Sequence, residues 1–277
     1  MVTIRLVALD IDGTILRPDG TLSPRVRAAV SRVVSTGVTV VLATARSLER
    51  TLPILQALPL TGPVISCGGA LVTRFGGDCS ILTCTVPVDP GTHVLQEALQ
   101  KKLPVLVAEI DRFLAPPSIL DLHRGYFEEL GFHVQGTREP IPSLVKNALF
   151  LRVLGENAIR SLLDACPPAD FPTLSFVQYS FHGIPDLGIY NARASKGNAL
   201  QTLLGVLDIS SAHALAVGDS QSDRSLLLAV TWRIAMGNAS ADLKDIATWI
   251  APSNAEDGVA VALERWVLPE GIQPSQC

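Results

Sequence analysis

The chain has 277 residues, of which 48% are hydrophobic and 17% are charged, and its formal net charge is −4. This composition supplies enough apolar side chains for a large buried core and therefore excludes a globally disordered chain. The slightly acidic balance excludes a general electrostatic attraction to nucleic acid or to anionic membranes.

The N-terminal part of the chain alternates predicted strands with predicted helices. Mostly apolar residues at positions 2–9 predict a buried parallel strand that ends at Asp10. The elements predicted next are a helix from Ser23 to about Ser35, a strand at 38–42, a helix at 48–58 and a strand at 63–66. Such alternation predicts a parallel sheet with helices on both faces.

The middle of the chain has a different pattern. Strands are predicted near 81–87, 105–110, 112–115, 148–154 and 174–180, with helices near 91–103, 119–130 and between the last two strands. Hairpins mixed with helices predict an α+β module, inserted at 79–186 into a core made of 1–78 and 187–277. Residues 79–187 contain eight Lys and Arg against twelve Asp and Glu. An acidic insertion disfavours a polyanionic substrate such as nucleic acid.

The alternation resumes near Lys196. The last predicted elements are a helix at 196–204, a strand at 212–217, a helix from about Asp223, a strand at 233–236 and a short strand within 246–251. The whole pattern predicts an α/β fold, with a doubly wound, Rossmann-like parallel sheet as its core and an α+β module inserted into it.

Targeting signals and disulfides are not expected. No apolar run approaches the roughly 20 residues of a membrane helix, and the N-terminus does not resemble a secretory signal peptide. The five cysteines are odd in number and scattered, which is untypical of a disulfide scaffold or a zinc site. We therefore expect a cytoplasmic protein without membrane or nucleic-acid partners; a homo-oligomer is compatible with the sequence.

Two carboxylates, Asp10 and Asp12, follow the first predicted strand. Ligands of open α/β sheets bind outside the carboxyl ends of the strands, and residues i and i+2 of an extended backbone point to the same side. Gly13 permits a turn with positive φ, and its N–H group is a natural phosphate donor. The segment therefore predicts a phosphate site. The alternative is a loop that Asp and Gly merely shape.

Four further polar residues fall at strand ends or helix starts. The hydroxyl of Thr44, after the second strand, can bond a phosphate oxygen. Lys196 opens a helix, where its charge opposes the helix dipole, so a role beyond solvation is plausible. Asp219 and Asp223 lie one helical turn apart and can share a hard cation. Each residue has an ordinary alternative, a helix cap or a solvated charge, but chance seldom places all of them in this order.

These segments resemble the haloacid dehalogenase superfamily, in its Cof-type branch with a type IIB (C2B) cap. The resemblance spans essentially the whole chain and rests on residues 10–14 (DIDGT), 44–46 (TAR), 196–200 (KGNAL), 218–223 (GDSQSD), 235–239 (AMGNA) and 256–260 (EDGVA). The chain departs from the branch at Ser222 and at Gly68, because the branch usually has Asn before the last motif Asp and often reads Asn-Gly-Ala after the third strand.

The resemblance implies a Mg²⁺-dependent phosphatase that hydrolyses small phosphorylated metabolites, such as sugar phosphates, through an aspartyl-phosphate. It implies Asp10 as the nucleophile, Asp12 as the acid and base, and Lys196 as a stabiliser of the transferring phosphoryl group. The implied phosphate-binding residues are Asp12, Gly13, Thr44, Ala45, Arg46, Lys196 and Ser222. The implied Mg²⁺ ligands are Asp10, Asp12 through its carbonyl, Asp219 and Asp223, the last through a water unless it orients Lys196 instead.

The insertion is expected to act as a lid that excludes water and supplies specificity. Candidates for its inner face are Arg112, Arg124, Arg152 and His182. Two other functions stay open. A phosphomutase or phosphotransferase of the same superfamily would need cap arginines that grip a second phosphate. A non-catalytic module that binds a phosphorylated metabolite and regulates a partner would not need Asp12.

Overall fold

A computed structural model gives the fold, and it describes residues 3–58, 60–74, 80–181 and 183–268. The strands are β1 (Leu6–Leu9), β2 (Thr39–Ala43), β3 (Pro63–Ser66), β4 (Leu71–Arg74), β5 (Ser80–Thr83), β6 (Val105–Ala108), β7 (Phe113–Ala115), β8 (Val134–Gly136), β9 (Phe150–Leu154), β10 (Leu174–Phe181), β11 (Ile184–Asn191), β12 (Ala214–Gly218), β13 (Trp232–Ala235) and β14 (Trp249–Ile250). The helices are α1 (Pro24–Ser35), α2 (Leu48–Ala57), α3 (Val88–Gln100), α4 (Pro117–Glu129), α5 (Ile141–Asn147), α6 (Glu156–Ala165), α7 (Lys196–Val206), α8 (Arg224–Leu228), α9 (Ala241–Lys244) and α10 (Gly258–Trp266).

The chain divides into two compact units, Met1–Leu82 with Ser195–Cys277, and Thr83–Ala194. The first unit is built from both ends of the chain, and the second is inserted between them. These bounds differ by a few residues from the predicted range of 79–186. One reason is that β5 is an edge strand of the first unit's sheet. The other is that β11 continues past residue 186 while paired to β9 and β10.

The first unit contains a mainly parallel sheet, as predicted. Its strand order among the described residues is β14-β13-β12-β1-β2-β3-β4-β5. In the parallel pairing of β1, Leu9 lies opposite Val217 of β12 and Leu42 of β2. β4 runs antiparallel to β3. All four residues of β1 are fully buried, which agrees with the near-continuous apolar sequence of a parallel strand covered on both faces.

The strand order reverses beside β1. The chain proceeds from β1 to β2 and β3 on one side, and it returns after the insertion to β12 on the other side. Ligand sites of open α/β sheets form where the order reverses. Asp10, Thr44 and Asp219 follow β1, β2 and β12, so the topology places these three residues at one edge of the sheet.

Hydroxyl caps start two helices of this unit. The Ser23 hydroxyl accepts the N–H of Val26 at the start of α1, where proline takes the first helical position. The Ser195 hydroxyl likewise accepts the N–H of Asn198, and this bond fixes where α7 begins. Lys196, the first residue of α7, is thereby held at a defined point of the unit.

The second unit contains a separate mixed sheet. Its strand order among the described residues is β10-β11-β9-β6-β7-β8, with antiparallel pairs except for the parallel pair of β7 and β8. The predicted mixture of hairpins and helices is confirmed, although β8, β11 and α5 were not predicted. The Asn191 side chain donates from Nδ2 to the Thr85 carbonyl at 2.9 Å. This bond joins the segment that enters the unit to the strand that leaves it.

No helix in the described part of the chain combines the length and the apolarity that crossing a bilayer requires. Cys67, Cys84 and Cys166 are free cysteines, and Cys79 and Cys277 lie outside the described residues.

Truncation of a central strand residue should destabilise the first unit strongly. We expect Leu215→Ala, at a fully buried position of β12, to lower the free energy of unfolding by about 3 kcal/mol through lost burial and an unfilled cavity. Urea unfolding followed by tryptophan fluorescence measures this, because all three tryptophans lie in the first unit. The control Leu228→Ala removes a side chain that is 45% exposed, and a comparable loss there would contradict the prediction.

Candidate active site

The loop after β1 is a tight turn that begins with Asp10. The Asp10 N–H donates to the Val217 carbonyl at 3.0 Å, which anchors the loop beside β12. The turn closes where the Leu16 N–H donates to the Ile11 carbonyl at 3.1 Å. Gly13 has φ +78°, and a Cβ atom there would lie 2.2 Å from Asp219 Oδ2. Only glycine therefore lets this turn approach Asp219 so closely.

Lys196 forms a buried ion cluster with two aspartates. Its Nζ donates to Asp10 Oδ1 and to Asp223 Oδ1, both at 2.6 Å. The three side chains are at most 6% exposed. Buried charges are tolerated when they are paired and hydrogen-bonded, and this cluster meets both conditions. The structure therefore brings together Asp10, Lys196 and Asp223, three of the residues predicted for the site.

The second oxygen of Asp223 holds the loop after β12. Asp223 Oδ2 accepts the N–H of Asp219 at 3.1 Å, and it also accepts the N–H and the hydroxyl of Ser220 at 3.0 and 3.1 Å. Both Asp223 oxygens are thus used within the protein, which favours its predicted role in orienting Lys196. The predicted phosphate-binding residue Ser222 is exposed, with its Oγ 2.8 Å from Ser220 Oγ.

Asp219 lies between two neutral polar groups that the predicted site did not include. The Thr14 hydroxyl is 3.4 Å from Asp219 Oδ1. The Asn238 amide nitrogen is 3.5 Å from Asp219 Oδ2, and it donates to the Gly13 carbonyl at 2.8 Å. Thr14 and Asn238 belong to the DIDGT and AMGNA segments of the sequence. Those segments were the available signal, but neither the pattern nor the spacing assigned a role to these two side chains.

Asp12 has a partner different from that of Asp10. Arg46 donates from Nε to Asp12 Oδ2 at 2.8 Å and from a second nitrogen to Asp12 Oδ1. Such a two-bond pairing fixes the orientation of a carboxylate. The Asp12 side chain is 59% exposed, whereas Asp10 is buried. The guanidinium of Arg46, predicted to bind phosphate, is therefore engaged with Asp12 in this structure.

A left-handed turn after β3 holds the segment that carries Thr44, Ala45 and Arg46. The Cys67 N–H donates to the Arg46 carbonyl at 2.8 Å, and the Gly68 N–H donates to the Thr44 carbonyl at 3.0 Å. Thr44 is buried, Ala45 is half-buried, and the Thr44 hydroxyl accepts the Arg46 N–H at 3.1 Å. The segment is thus fixed at both its first and its last residue.

Three carboxylates share this site with one buried ammonium. Oxygen atoms of Asp10, Asp219 and Asp223 all lie within 4.8 Å of one another. Burial, reinforced by the charge of Asp223, raises the pKa of Asp219 to about 6. Burial and the two neighbouring carboxylates also hold the pKa of Asp10 well above its usual range, although Lys196 opposes the shift. Burial opposes the charge of Lys196, but Asp10 and Asp223 outweigh it and raise its pKa.

The carboxylate group fits a bound metal ion. Its donors are all oxygens, and hard divalent cations such as Mg²⁺ prefer oxygen ligands. Its negative charge exceeds the single positive charge of Lys196. Burial, reinforced by the neighbouring carboxylates, raises the pKa values of Asp10 and Asp219, so ionisation of these two acids is disfavoured. A group formed by Asp10, Asp219 and Asp223 can therefore hold a metal ion.

The cap candidates lie within the second unit. Arg112 donates to Glu109 at 2.7 Å, and Arg124 is 4.0 Å from Asp121. Arg152 pairs with the buried Asp186 at 3.0 Å, while His182 lies outside the described residues. The three arginines thus pair with acids of their own unit, and Arg152 also lies over the rings of Phe113, Phe132 and Phe150. A role toward substrate stays a prediction for all four candidates.

Comparisons with known proteins identify relatives along nearly the full chain. The sequence model described as haloacid dehalogenase-like hydrolase matches residues 7–263. A protein of Streptococcus pyogenes serotype M6, named provisionally as a phosphatase, is 30% identical over 96% of this chain and 99% of its own. A pyridoxal phosphate phosphatase of Escherichia coli is 24% identical, over 93% and 97% of the two chains.

Solved structures support the same fold. A haloacid dehalogenase-like hydrolase from Bacteroides thetaiotaomicron superposes with a TM-score of 0.80 at 21% identity, covering 95% of this chain and 99% of that one. A subclass IIB sugar phosphatase of the same superfamily superposes with a TM-score of 0.70 at 17% identity, covering 95% and 98%. The predicted α/β core with a separate mixed sheet is therefore confirmed.

A methyl group at Gly13 should disturb Asp219 specifically. We expect Gly13→Ala to weaken Mg²⁺ binding and phosphatase activity at least about tenfold, because the new Cβ displaces the Asp219 carboxylate. Gly20→Ala is the matched control: its φ is +79°, but no atom lies within 4 Å of the added Cβ. Both variants carry left-handed strain of about 1–2 kcal/mol, so an equal loss of Mg²⁺ binding in the two would contradict the prediction.

The crowded acids should make stability depend on pH and on metal. The folded pKa of Asp219, near 6, lies above its ordinary value of 3.8. Its stabilising contribution is therefore complete below pH 3.8 and is lost as pH rises through 6. We expect the Tm of metal-free protein to fall between pH 5.5 and 7.5, and Mg²⁺ to raise the Tm more at pH 7.5, where it competes with fewer protons.

The control for this pH dependence is Asp219→Asn, which removes one of the titrating acids. Its fall in Tm between pH 5.5 and 7.5 should be smaller than that of the parent protein. Differential scanning calorimetry with EDTA, and separately with Mg²⁺, measures both effects. An identical pH dependence in the two proteins would show that Asp219 does not cause it.

Proposed function

The chain belongs to the haloacid dehalogenase-like hydrolases, and from this premise we propose that it is a Cof-type phosphatase of subclass IIB and infer how and on what it acts. The proposed reaction is Mg²⁺-dependent hydrolysis of small phosphomonoesters through an aspartyl-phosphate on Asp10. The observation that carries it is the cluster of Asp10, Lys196 and Asp223 beside Asp219. In this cluster the proposed nucleophile, Asp10, contacts the ammonium of Lys196 at the point where the strand order of the sheet reverses.

In the first step, a carboxylate oxygen of Asp10 attacks the phosphorus atom of the substrate. The new O–P bond forms as the bond to the leaving oxygen breaks, and Asp12 gives its proton to that oxygen. Lys196 and Thr44 stabilise the transferring phosphoryl group. Mg²⁺ held by Asp10, Asp219 and the Asp12 carbonyl would offset the repulsion between an anionic nucleophile and an anionic phosphate.

In the second step, Asp12 takes a proton from water, and the water oxygen attacks phosphorus. The O–P bond to Asp10 breaks, inorganic phosphate leaves, and Asp10 returns as a carboxylate. The 59% exposure of the Asp12 side chain supports this role, because the group must reach both the leaving group and water. Arg46 donates to both Asp12 oxygens in this structure, so the pairing has to open at one oxygen before that oxygen can carry the proton.

The proposed substrates are small phosphorylated metabolites, with sugar phosphates as the first class to test. Relatives named for their substrates act on small phosphorylated compounds: pyridoxal phosphate in one case, and 5-amino-6-(5-phospho-D-ribitylamino)uracil in another, from Bacillus subtilis. The acidic composition of residues 79–187 supports a compact substrate over a polyanion. The inserted unit would act as a cap that excludes water from the reaction.

Hydrolysis is favoured over the phosphomutase and regulator alternatives by the relatives, which are named as phosphatases. The test is phosphate release across a panel of phosphorylated metabolites, with Mg²⁺ and with EDTA. Metal-dependent release from a subset of the panel is expected. Isomerised product with little phosphate would support a mutase, and silence across the panel would support a binding module. We propose the cytoplasm as the location, on the odd number and scattered positions of the cysteines in the sequence.

Replacement of the nucleophile should abolish turnover without unfolding the protein. We expect Asp10→Asn to reduce phosphate release by at least about 10⁴-fold, because the amide is a poor nucleophile and cannot return as a carboxylate leaving group. Asp19→Asn is the control, because the side-chain hydrogen bonds of Asp19 among the described residues are to Thr21. Acid-quenched protein should carry labelled phosphate in the parent and none in Asp10→Asn. Near-parental activity in Asp10→Asn would refute the mechanism.

A further inference from the structure

We propose that Asn238 is a positioning residue that fixes the metal-binding geometry by joining two loops with one side-chain amide. The inference rests on the proposed function, because it concerns the same Mg²⁺ site. Its starting point is the AMGNA segment, which the proposed reaction does not use. That segment follows β13, and Asn238 reaches from it to the loops after β1 and β12.

The orientation of the Asn238 amide is dictated by its surroundings. Its Oδ1 accepts the backbone N–H of Asn254 at 2.9 Å. A backbone N–H can only donate, so the oxygen must point to Asn254 and the NH₂ group must point the other way. The NH₂ group then donates to the Gly13 carbonyl at 2.8 Å and faces Asp219 Oδ2 at 3.5 Å. A residue without both a donor and an acceptor cannot make this set of contacts.

Both contacts of the NH₂ group concern proposed metal ligands. Gly13 directly follows Asp12, whose carbonyl is one proposed ligand, so holding the Gly13–Thr14 peptide anchors the chain one residue beyond that carbonyl. Asp219 supplies another proposed ligand. The two residues come from different loops, and the approach of Gly13 to Asp219 leaves no room for a Cβ atom. Asn238 therefore restrains the distance between two proposed ligands from different loops, beside the contact of the Thr14 hydroxyl with Asp219.

Asn254, which contacts Asn238 through its backbone, also holds the Asp10 loop through its side chain. Its own side chain donates from Nδ2 to the Leu16 carbonyl at 2.7 Å, at the end of the Asp10 loop, and it is 8% exposed. The C-terminal segment thus holds this loop at Leu16 and, through Asn238, at Gly13. Groups that orient metal ligands typically alter metal affinity by about 10–100-fold when removed, although they never touch the metal.

The test is Mg²⁺ binding to full-length Asn238→Ala, measured by titration calorimetry and by the Mg²⁺-induced rise in Tm. We expect Mg²⁺ to bind about tenfold more weakly, and half-maximal activity to need about tenfold more Mg²⁺. At saturating Mg²⁺, the KM for substrate should stay near the parental value, because Asn238 does not contact substrate in the proposed reaction. Asn238 is exposed, so its truncation leaves the core intact.

The matched control is Arg17→Gln. Arg17 also ties the same loop region to the C-terminal segment, through two bonds to Asp257 Oδ1 and one to Asp257 Oδ2 at 2.9–3.1 Å. It contacts neither Gly13 nor Asp219 in the bonds described, so its loss should lower the Tm without changing Mg²⁺ affinity. Equal Mg²⁺ affinity in Asn238→Ala and the parent would overturn the inference, as would an equal loss in both variants. Absence of Mg²⁺ binding by the parent protein would instead refute the proposed function.

Discussion

The buried ammonium of Lys196 is the interaction on which the rest of the site depends. An ammonium that is 3% exposed persists only with charged partners, because an unpaired buried charge is strongly destabilising. Its two partners come from different places, Asp10 from the end of β1 and Asp223 from the turn after β12. One charge therefore fixes the start of α7 against two strand ends, and it sets the direction of Asp10, the proposed nucleophile.

The same cluster explains why binding of a cation at this site is energetically favourable. Three carboxylates surround one ammonium, and hydrogen bonds from neutral donors such as Thr14 and Asn238 moderate the excess charge without cancelling it. Burial, reinforced by the charge of Asp223, raises the pKa of Asp219, so its ionised form is disfavoured. A phosphate approaching Asp10 would add further negative charge. Electrostatics alone therefore favours a mechanism in which metal and substrate enter the same site.

The sequence allowed prediction of those features that depend on local pattern and on strand order. Asp10, Thr44 and Asp219 could be grouped because parallel strands bring their carboxyl ends to one edge. The pairing of Arg46 with Asp12 and the reach of Asn238 to Gly13 join residues 34 and 225 positions apart, and side-chain contacts of this kind leave no periodic signal. The short β8 and α5 escaped prediction because a few residues rarely show a period.

The bond between Asn191 and Thr85 has a consequence for how such proteins diversify. It joins the segment where the chain enters the inserted unit to the strand where the chain leaves it. The unit, Thr83–Ala194, is compact by itself. The residues proposed for the chemistry are all encoded outside that stretch. Under the proposed function, changes within residues 83–194 can alter specificity while the residues proposed for the chemistry stay unchanged. Selection for specificity and selection for chemistry would then act on separate parts of one gene.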